Sequence, residues 1–134
     1  MKKALIMVLL LALTAAISPG AAFSARGPSW QTSVAEVDGG FQVGLRDKNG
    51  DMARDYTVQF VVKAPDGRQY RTQRAVKARH DEFVYVTFPR DFQGNLVPGA
   101  YVCQFVAGGK AVVTEQFTYQ IVQGRGVIQN RQWL

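Results

Sequence analysis

Short runs rich in Val, Phe, Tyr and Thr recur along this chain, and clusters of Gly, Pro, Asn and Asp separate them. This alternation constrains the fold more than any other feature, because β-branched and aromatic residues favour strands while the small polar clusters favour turns. Beyond the N-terminal leader no convincing helical periodicity is present. Many short strands at such spacing predict an all-β sandwich or barrel.

Apolar and polar residues alternate in about seven predicted strands. The clearest begins at Tyr56, with Tyr56, Val58, Phe60 and Val62 on one face. The others cover residues 30–37, 41–45, 69–76, 82–88, 100–107 and 111–122. Run 69–76 is polar on both faces, which predicts a strand near an edge, whereas run 82–88 is apolar on both, which predicts a central or well-covered strand. The predicted core comprises Phe60, Val62, Val84, Val86, Tyr101, Phe105 and Phe117.

Three turn clusters divide these runs. Asn49-Gly50 and Pro65-Asp66-Gly67 are typical of hairpin turns, and Gly108-Gly109 predicts a hairpin between the last two runs. Glu115 is the one residue that conflicts with the pattern, because it shares parity with Val113 and Phe117 on the predicted core face. A β-bulge near Thr114 would turn Glu115 outward.

The last hairpin carries a resemblance. Tyr101 precedes Cys103 by two residues at the start of the penultimate strand, as in the tyrosine corner of immunoglobulin-type sandwiches. The stretch PGAYVCQFVAGGKAVVTEQFTYQI resembles the closing hairpin of bacterial immunoglobulin-like domains, and the turns in LRDKNGD and VKAPDG resemble their earlier hairpins. The resemblance implies one immunoglobulin-like sandwich over residues 25–122. The disulfide of antibody domains is missing, since Cys103 is the only cysteine, and the third-strand region lacks the tryptophan that packs against it.

The first residues predict export from the cytoplasm. Lys2 and Lys3 precede an uncharged apolar run that Pro19-Gly20 interrupts, and small residues follow. This order is typical of a secretory signal peptide over residues 1–24, cleaved after Ala22 or Ser24. The apolar run is short for a membrane span, so no stable span is expected after cleavage. No cysteine follows the cut to carry a lipid, and the bacterial style of the leader points to the periplasm or the medium.

Positive charge is concentrated in one stretch. The chain has 16 Lys and Arg against 10 Asp and Glu, or 14 against 10 once Lys2 and Lys3 are removed. The candidate face for an anionic partner comprises Arg68, Tyr70, Arg71, Arg74, Lys77 and Arg79. In the alternative interpretation these residues are solvent-exposed charges on an edge strand, which prevent that strand from pairing with strands of other chains. Export and the modest net charge argue against nucleic acid as the partner.

Two apolar clusters follow Gly124-Arg125-Gly126 in the C-terminal tail, residues 123–134. Val127, Ile128, Trp133 and Leu134 are the candidate partner residues. Strict alternation would put Val127, Gln129 and Arg131 on one face of an extra strand. That strand either folds back on its own domain or adds to the sheet of another protein or another copy.

No catalytic, cofactor or metal site is predicted. The Asp47, Asn49, Asp51 spacing begins like a calcium loop, but Met52 and Val58 occupy positions that require Gly and an acid. His80 is the only histidine, and Cys103 is mid-strand on the core face, either buried or available for an intermolecular disulfide.

The sequence therefore predicts an exported, non-catalytic binding module that engages an envelope protein or an anionic surface. The alternative is a structural or accessory subunit of an extracellular assembly that associates through its tail. A small enzyme or metal carrier that uses His80 and Cys103 ranks third.

Overall fold

The computed structural model describes residues 28–134, so the predicted signal peptide lies outside the described residues. The strands are β1 (Trp30–Val37), β2 (Gly40–Asp47), β3 (Tyr56–Lys63), β4 (Gln69–Val76), β5 (Val84–Phe88), β6 (Gly99–Ala107), β7 (Lys110–Val122) and β8 (Arg125–Trp133). A single 3-10 turn, Arg90–Phe92, follows β5. The prediction of an all-β chain is confirmed for these residues, with eight strands rather than about seven.

The strands form two antiparallel sheets. The smaller sheet has the order β1-β2-β5, and the larger has the order β4-β3-β6-β7-β8. This arrangement is consistent with a β-sandwich. The edge position predicted for run 69–76 is confirmed, since β4 is the first strand of the larger sheet.

Tight turns set the register of the two C-terminal hairpins. Gly108 and Gly109 have φ of +61° and +80° between β6 and β7, and Gln123 and Gly124 have φ of +52° and +76° between β7 and β8. Two successive residues at positive φ are typical of the turn whose twist matches that of paired strands. The predicted Gly108-Gly109 hairpin is confirmed, and the second turn makes the tail a strand of the same sheet.

Aromatic side chains fill the space between the sheets. Phe41 stacks on Phe88 with centroids 5.1 Å apart and meets Tyr101 and Phe117 edge-on at 4.9 and 5.0 Å. All four are fully buried. Edge-to-face and offset pairs of this kind add to the burial of large apolar areas. Of the predicted core residues, only Val84 is no more than partly buried.

Tyr101 makes the hydrogen bonds expected of a tyrosine corner. Its hydroxyl donates to the backbone oxygen of Val97 at 2.5 Å and accepts from the Val97 N–H at 3.0 Å. The ring is fully buried, and burial raises the pKa of the phenol. One side chain thus fixes the loop that leads into β6.

Two predictions about the smaller sheet are wrong. Run 82–88 is not central, because β5 is an edge strand that pairs only with β2, and the outward Tyr85 is 44% exposed. The outer face of run 82–88 is apolar because two aromatic rings cover each other there: Tyr85 stacks on Phe83 with centroids 5.5 Å apart. The Asn49-Gly50 turn is present, since the Gly50 N–H donates to the Asp47 backbone oxygen at 3.0 Å, but it does not close a hairpin, because it carries the chain from β2 in one sheet to β3 in the other.

Candidate functional site

The six residues of the candidate anionic face do not share one face. Arg68 is exposed in the turn before β4, and Arg71 points outward from β4 and is exposed. Tyr70 points inward, where its ring meets Phe88 edge-on at 5.3 Å. Strict alternation along the strand therefore separates Tyr70 from Arg71.

Two of the other three cations form local ion pairs. Arg74 lies on the inward parity of β4 and pairs with Asp91 at 3.5 Å. Lys77 pairs with Asp55 at 3.5 Å, both of them exposed. Arg79 lies in the β4–β5 loop at φ +63°, and its backbone N–H donates to Met52. These contacts fit the interpretation that much of the basic stretch stabilises the edge strand β4 and the loops next to it.

A different surface brings cations together with neutral polar groups. Register places Gln69, Lys63, Val102, Gln116 and Gln132 in one row across all five strands of the larger sheet. The outward row beside it comprises Arg71, Val61, Gln104 and Thr114, and the next begins with Gln73 and Gln59. We call this surface the amide face, defined by Gln59, Lys63, Gln69, Arg71, Gln73, Gln104, Thr114, Gln116 and Gln132.

The amide face carries charge of one sign. Both charged members, Lys63 and Arg71, are exposed cations. Val61 lies in its middle and is only 4% exposed, flanked by Arg71 and Gln104 on the neighbouring strands. Five strands span about 19 Å at ~4.8 Å per strand, so the face can contact several units of an extended ligand.

The tail forms the opposite edge of the larger sheet. β8 pairs with β7, and its outer edge is held by the smaller sheet, since the Ile128 N–H donates to a Glu36 carboxylate oxygen at 2.7 Å. That bond lowers the pKa of Glu36. Of the candidate tail residues, Val127 and Ile128 are partly buried, while Trp133 and Leu134 are 55% and 67% exposed.

Glu115 organises the contact between the tail and β1. The alternation that places it on the core face is confirmed, because its side chain points inward and is 1% exposed, and no bulge near Thr114 turns it outward. Its carboxylate accepts hydrogen bonds from Arg131 Nε and from the Thr32 hydroxyl, both at 2.6 Å. Thr32 Oγ1 in turn accepts from Trp133 Nε1 at 2.8 Å. The network therefore ties β1, β7 and β8 together.

A bulge in β8 makes this network possible. Gln116 pairs with Gln132 but Thr118 pairs with Gln129, so β8 has an extra residue, and Asn130 has φ +58°. The predicted strict alternation of the tail is therefore wrong beyond Gln129. A bulge shifts the parity of the residues that follow it, and here it points Arg131 and Trp133 inward. Asn, which tolerates the left-handed conformation, was the available sequence signal.

Cys103 and His80 lie in different environments. Cys103 is fully buried in β6, with Val62 and Glu115 as its cross-strand neighbours. Burial and the negative charge of Glu115 raise the pKa of its thiol far above the usual range. His80 lies in the β4–β5 loop. Within residues 28–134 no cluster of three metal-ligating side chains occurs.

Comparisons with known proteins identify no relative: no family model, curated protein or solved structure matches the chain. In the part of the chain that the structure describes, no helix is long and apolar enough to cross a membrane.

Proposed function

We propose that this chain is an exported, non-catalytic binding domain that engages an anionic partner through the amide face. The observation that carries the proposal is the combination of two exposed cations, Lys63 and Arg71, with rows of glutamine on one face of the larger sheet. Glutamine amides both donate and accept hydrogen bonds, and the cations attract carboxylate, sulfate or phosphate groups.

The contacts of the cations support this choice within the basic stretch. Arg74 and Lys77 are engaged by Asp91 and Asp55. Arg71 instead projects from the sheet beside Val61, next to the row that contains Lys63. The planar fork of a guanidinium suits an oxyanion, and it loses less freedom per hydrogen bond formed than the ammonium of lysine does.

The fold and the compartment belong to the same proposal. The order β1-β2-β5 facing β4-β3-β6-β7, together with the Tyr101 hydrogen bonds, supports an immunoglobulin-like sandwich, to which β8 adds an edge. The signal-peptide pattern of residues 1–24 supports release into the periplasm or the medium. Mass spectrometry of the exported protein tests this part, because a mature N-terminus after Ala22 or Ser24 is expected.

Charge reversal tests the amide face. The double variant Lys63→Glu, Arg71→Glu is compared with a control, Lys110→Glu, Arg125→Glu, which reverses two exposed cations elsewhere. Each double variant changes the net charge equally, so only position differs. Binding is measured to immobilised polygalacturonate and to vesicles of phosphatidylglycerol and phosphatidylcholine.

Binding by the wild type should weaken as salt rises, because exposed charges are screened beyond about 10 Å at 0.1 M. The amide-face variant should lose about tenfold or more in affinity, and the control about threefold or less. Binding that ignores both salt and the amide-face reversal would contradict the proposal.

An assembly role through the tail is the second candidate. It is favoured by one observation, the exposed Trp133 and Leu134 at the end of an edge strand. Light scattering over a range of protein concentrations tests it. A concentration-dependent oligomer that Leu134→Ala weakens would favour assembly, and a monomer throughout would remove this candidate.

A further inference from the structure

Both tryptophans of the chain border one groove. The groove has a volume of about 460 Å³ and is lined by Trp30, Gln31, Thr32, Phe83, Arg131 and Trp133. It lies where the end of β8 meets the start of β1. The groove is shallow and open to solvent, and it combines aromatic side chains with a few polar groups, as sites for small molecules commonly do.

The walls of the groove are held in place. Trp133 is 55% exposed, yet its Nε1 donates to Thr32 Oγ1 at 2.8 Å. Trp30 packs edge-on against Tyr56, with centroids 6.3 Å apart. Side chains fixed before a ligand arrives lose less entropy when it binds.

A costly arrangement supports this geometry. The buried Glu115 carboxylate pairs with Arg131, and Asn130 adopts a left-handed conformation at the bulge. Burying an ion pair adds little to stability compared with an apolar pair of similar size. Bulges near sheet edges commonly re-aim a side chain toward a site. Here the result is that Arg131 and Trp133 line the same groove as Trp30.

The polar groups on the rim favour an acidic ligand. Arg46 donates to Gln31 Oε1 at 3.4 Å and lies 5.8 Å from the centroid of the Phe83 ring. Its described hydrogen-bond partners are a neutral amide and the backbone oxygen of Asp81. A ligand carboxylate would give this guanidinium a charge-assisted bond. A ligand cation would instead be repelled by Arg46.

We infer that the groove binds one ring of an acidic glycan. The apolar C–H face of a sugar ring packs against the indoles, its hydroxyls pair with the Gln31 amide, and its carboxylate pairs with Arg46. The inference rests on the proposed function, since it names the class of anionic partner. It uses residues outside the amide face, so the two can fail separately.

Intrinsic tryptophan fluorescence tests the groove, because both reporters line it. Tetragalacturonate is titrated into the wild type, Trp133→Ala and Leu134→Ala, the last being a control at the adjacent exposed residue. The fully methyl-esterified tetramer presents the same ring without charge. An acidic peptide that contains phenylalanine but no tryptophan serves as the competing probe, so that all tryptophan emission comes from the protein.

Tetragalacturonate should give a saturable emission shift in the wild type and bind about tenfold more weakly to Trp133→Ala, while Leu134→Ala changes affinity by about twofold or less. The esterified tetramer should bind more weakly than the acid. No saturable shift with the acid, equal binding by Trp133→Ala, or saturation by the peptide alone would each overturn the inference.

The amide-face reversal separates the two proposals. Lys63→Glu, Arg71→Glu should weaken binding of polygalacturonate yet leave the tetramer titration within about twofold. A tetramer affinity about tenfold weaker in Trp133→Ala, reported by the remaining Trp30, with unchanged salt-dependent polymer binding shows that the groove acts independently. If the amide face fails its own test, the tetramer titration still shows whether the groove binds an acidic sugar ring.

Discussion

Replacing Arg131 by leucine is the sharpest test of how the tail is held. The change removes Nε, which lies 2.6 Å from a Glu115 carboxylate oxygen, and the weaker Nη2 contact at 3.4 Å. Glu115 is 1% exposed and would keep only the Thr32 hydroxyl as a donor. A buried carboxylate would thus lose its cation.

The expected loss in the free energy of unfolding depends on how deeply each member of the Arg131–Glu115 pair is buried. Removing one member of a buried ion pair costs about 3–5 kcal/mol, because the remaining charge has no compensation. The Arg131 side chain is 40% exposed, so water can reach its end of the pair. We therefore expect the lower end of that range, about 3 kcal/mol, a large share of the ~5–15 kcal/mol that stabilises a typical domain.

Urea unfolding at neutral pH measures this loss. Arg125→Leu is the control, since it makes the same change at an exposed position of the same strand and should cost less than about 0.5 kcal/mol. Glu115→Leu combined with Arg131→Leu should recover to within about 1 kcal/mol of the wild type, because no unpaired charge remains. If Arg131→Leu costs no more than the control, the ion pair does not hold the tail and the reasoning fails.

Four further results are expected. Tyr101→Phe should lower the free energy of unfolding by about 1–3 kcal/mol, because the backbone N–H and C=O of Val97 lose their partner; a loss below about 0.5 kcal/mol would contradict the tyrosine-corner role. In the left-handed position Asn130→Val should cost about 1–2 kcal/mol and Asn130→Gly much less, and equal stability of the two would contradict the bulge. The Cys103 thiol should react with a disulfide reagent about a hundredfold more slowly in the native protein than in denaturant, and equal rates would contradict its burial. The Thr87 backbone N–H, which donates to the Asp91 carboxylate, lowers the pKa of Asp91 in the folded protein, so this carboxylate adds to the free energy of unfolding above its unfolded pKa of about 3.9 and ceases to do so as the pH falls through its folded pKa. Urea unfolding at low pH should therefore show a smaller drop in the free energy of unfolding for Asp91→Asn than for the wild type. An unchanged dependence on acid pH would contradict this.

Local patterns predicted most of the strands. Runs 30–37 and 69–76 have the same bounds in the structure as in the prediction, because alternation and turn residues act over a few neighbours. The position of a strand within a sheet depends on partners distant in sequence. Run 82–88 shows this limit, because Phe83 and Tyr85 cover each other on an outer face and so imitate the apolar pattern of a central strand.

The candidate sites were harder to predict for a similar reason. The basic stretch is continuous in sequence, but strand alternation and the Asp91 and Asp55 ion pairs divide it. The amide face draws its residues from all five strands of the larger sheet, so it exists only once the register is known. The groove is lined by Trp30 and Trp133, which lie at opposite ends of the described sequence. Trp133 points toward the groove only because the bulge at Asn130 shifts the alternation of β8.

The buried ion pair also explains how the tail keeps its register. A slip of one residue reverses every side chain of a strand, and a polar edge strand resists such slips weakly. Only the bulged register brings Arg131 to Glu115, and any other leaves a carboxylate buried without its cation. A leucine pair would hold β8 about as firmly but would not distinguish these registers. The ion pair therefore acts through specificity more than stability, and the register it selects places Trp133 against Thr32.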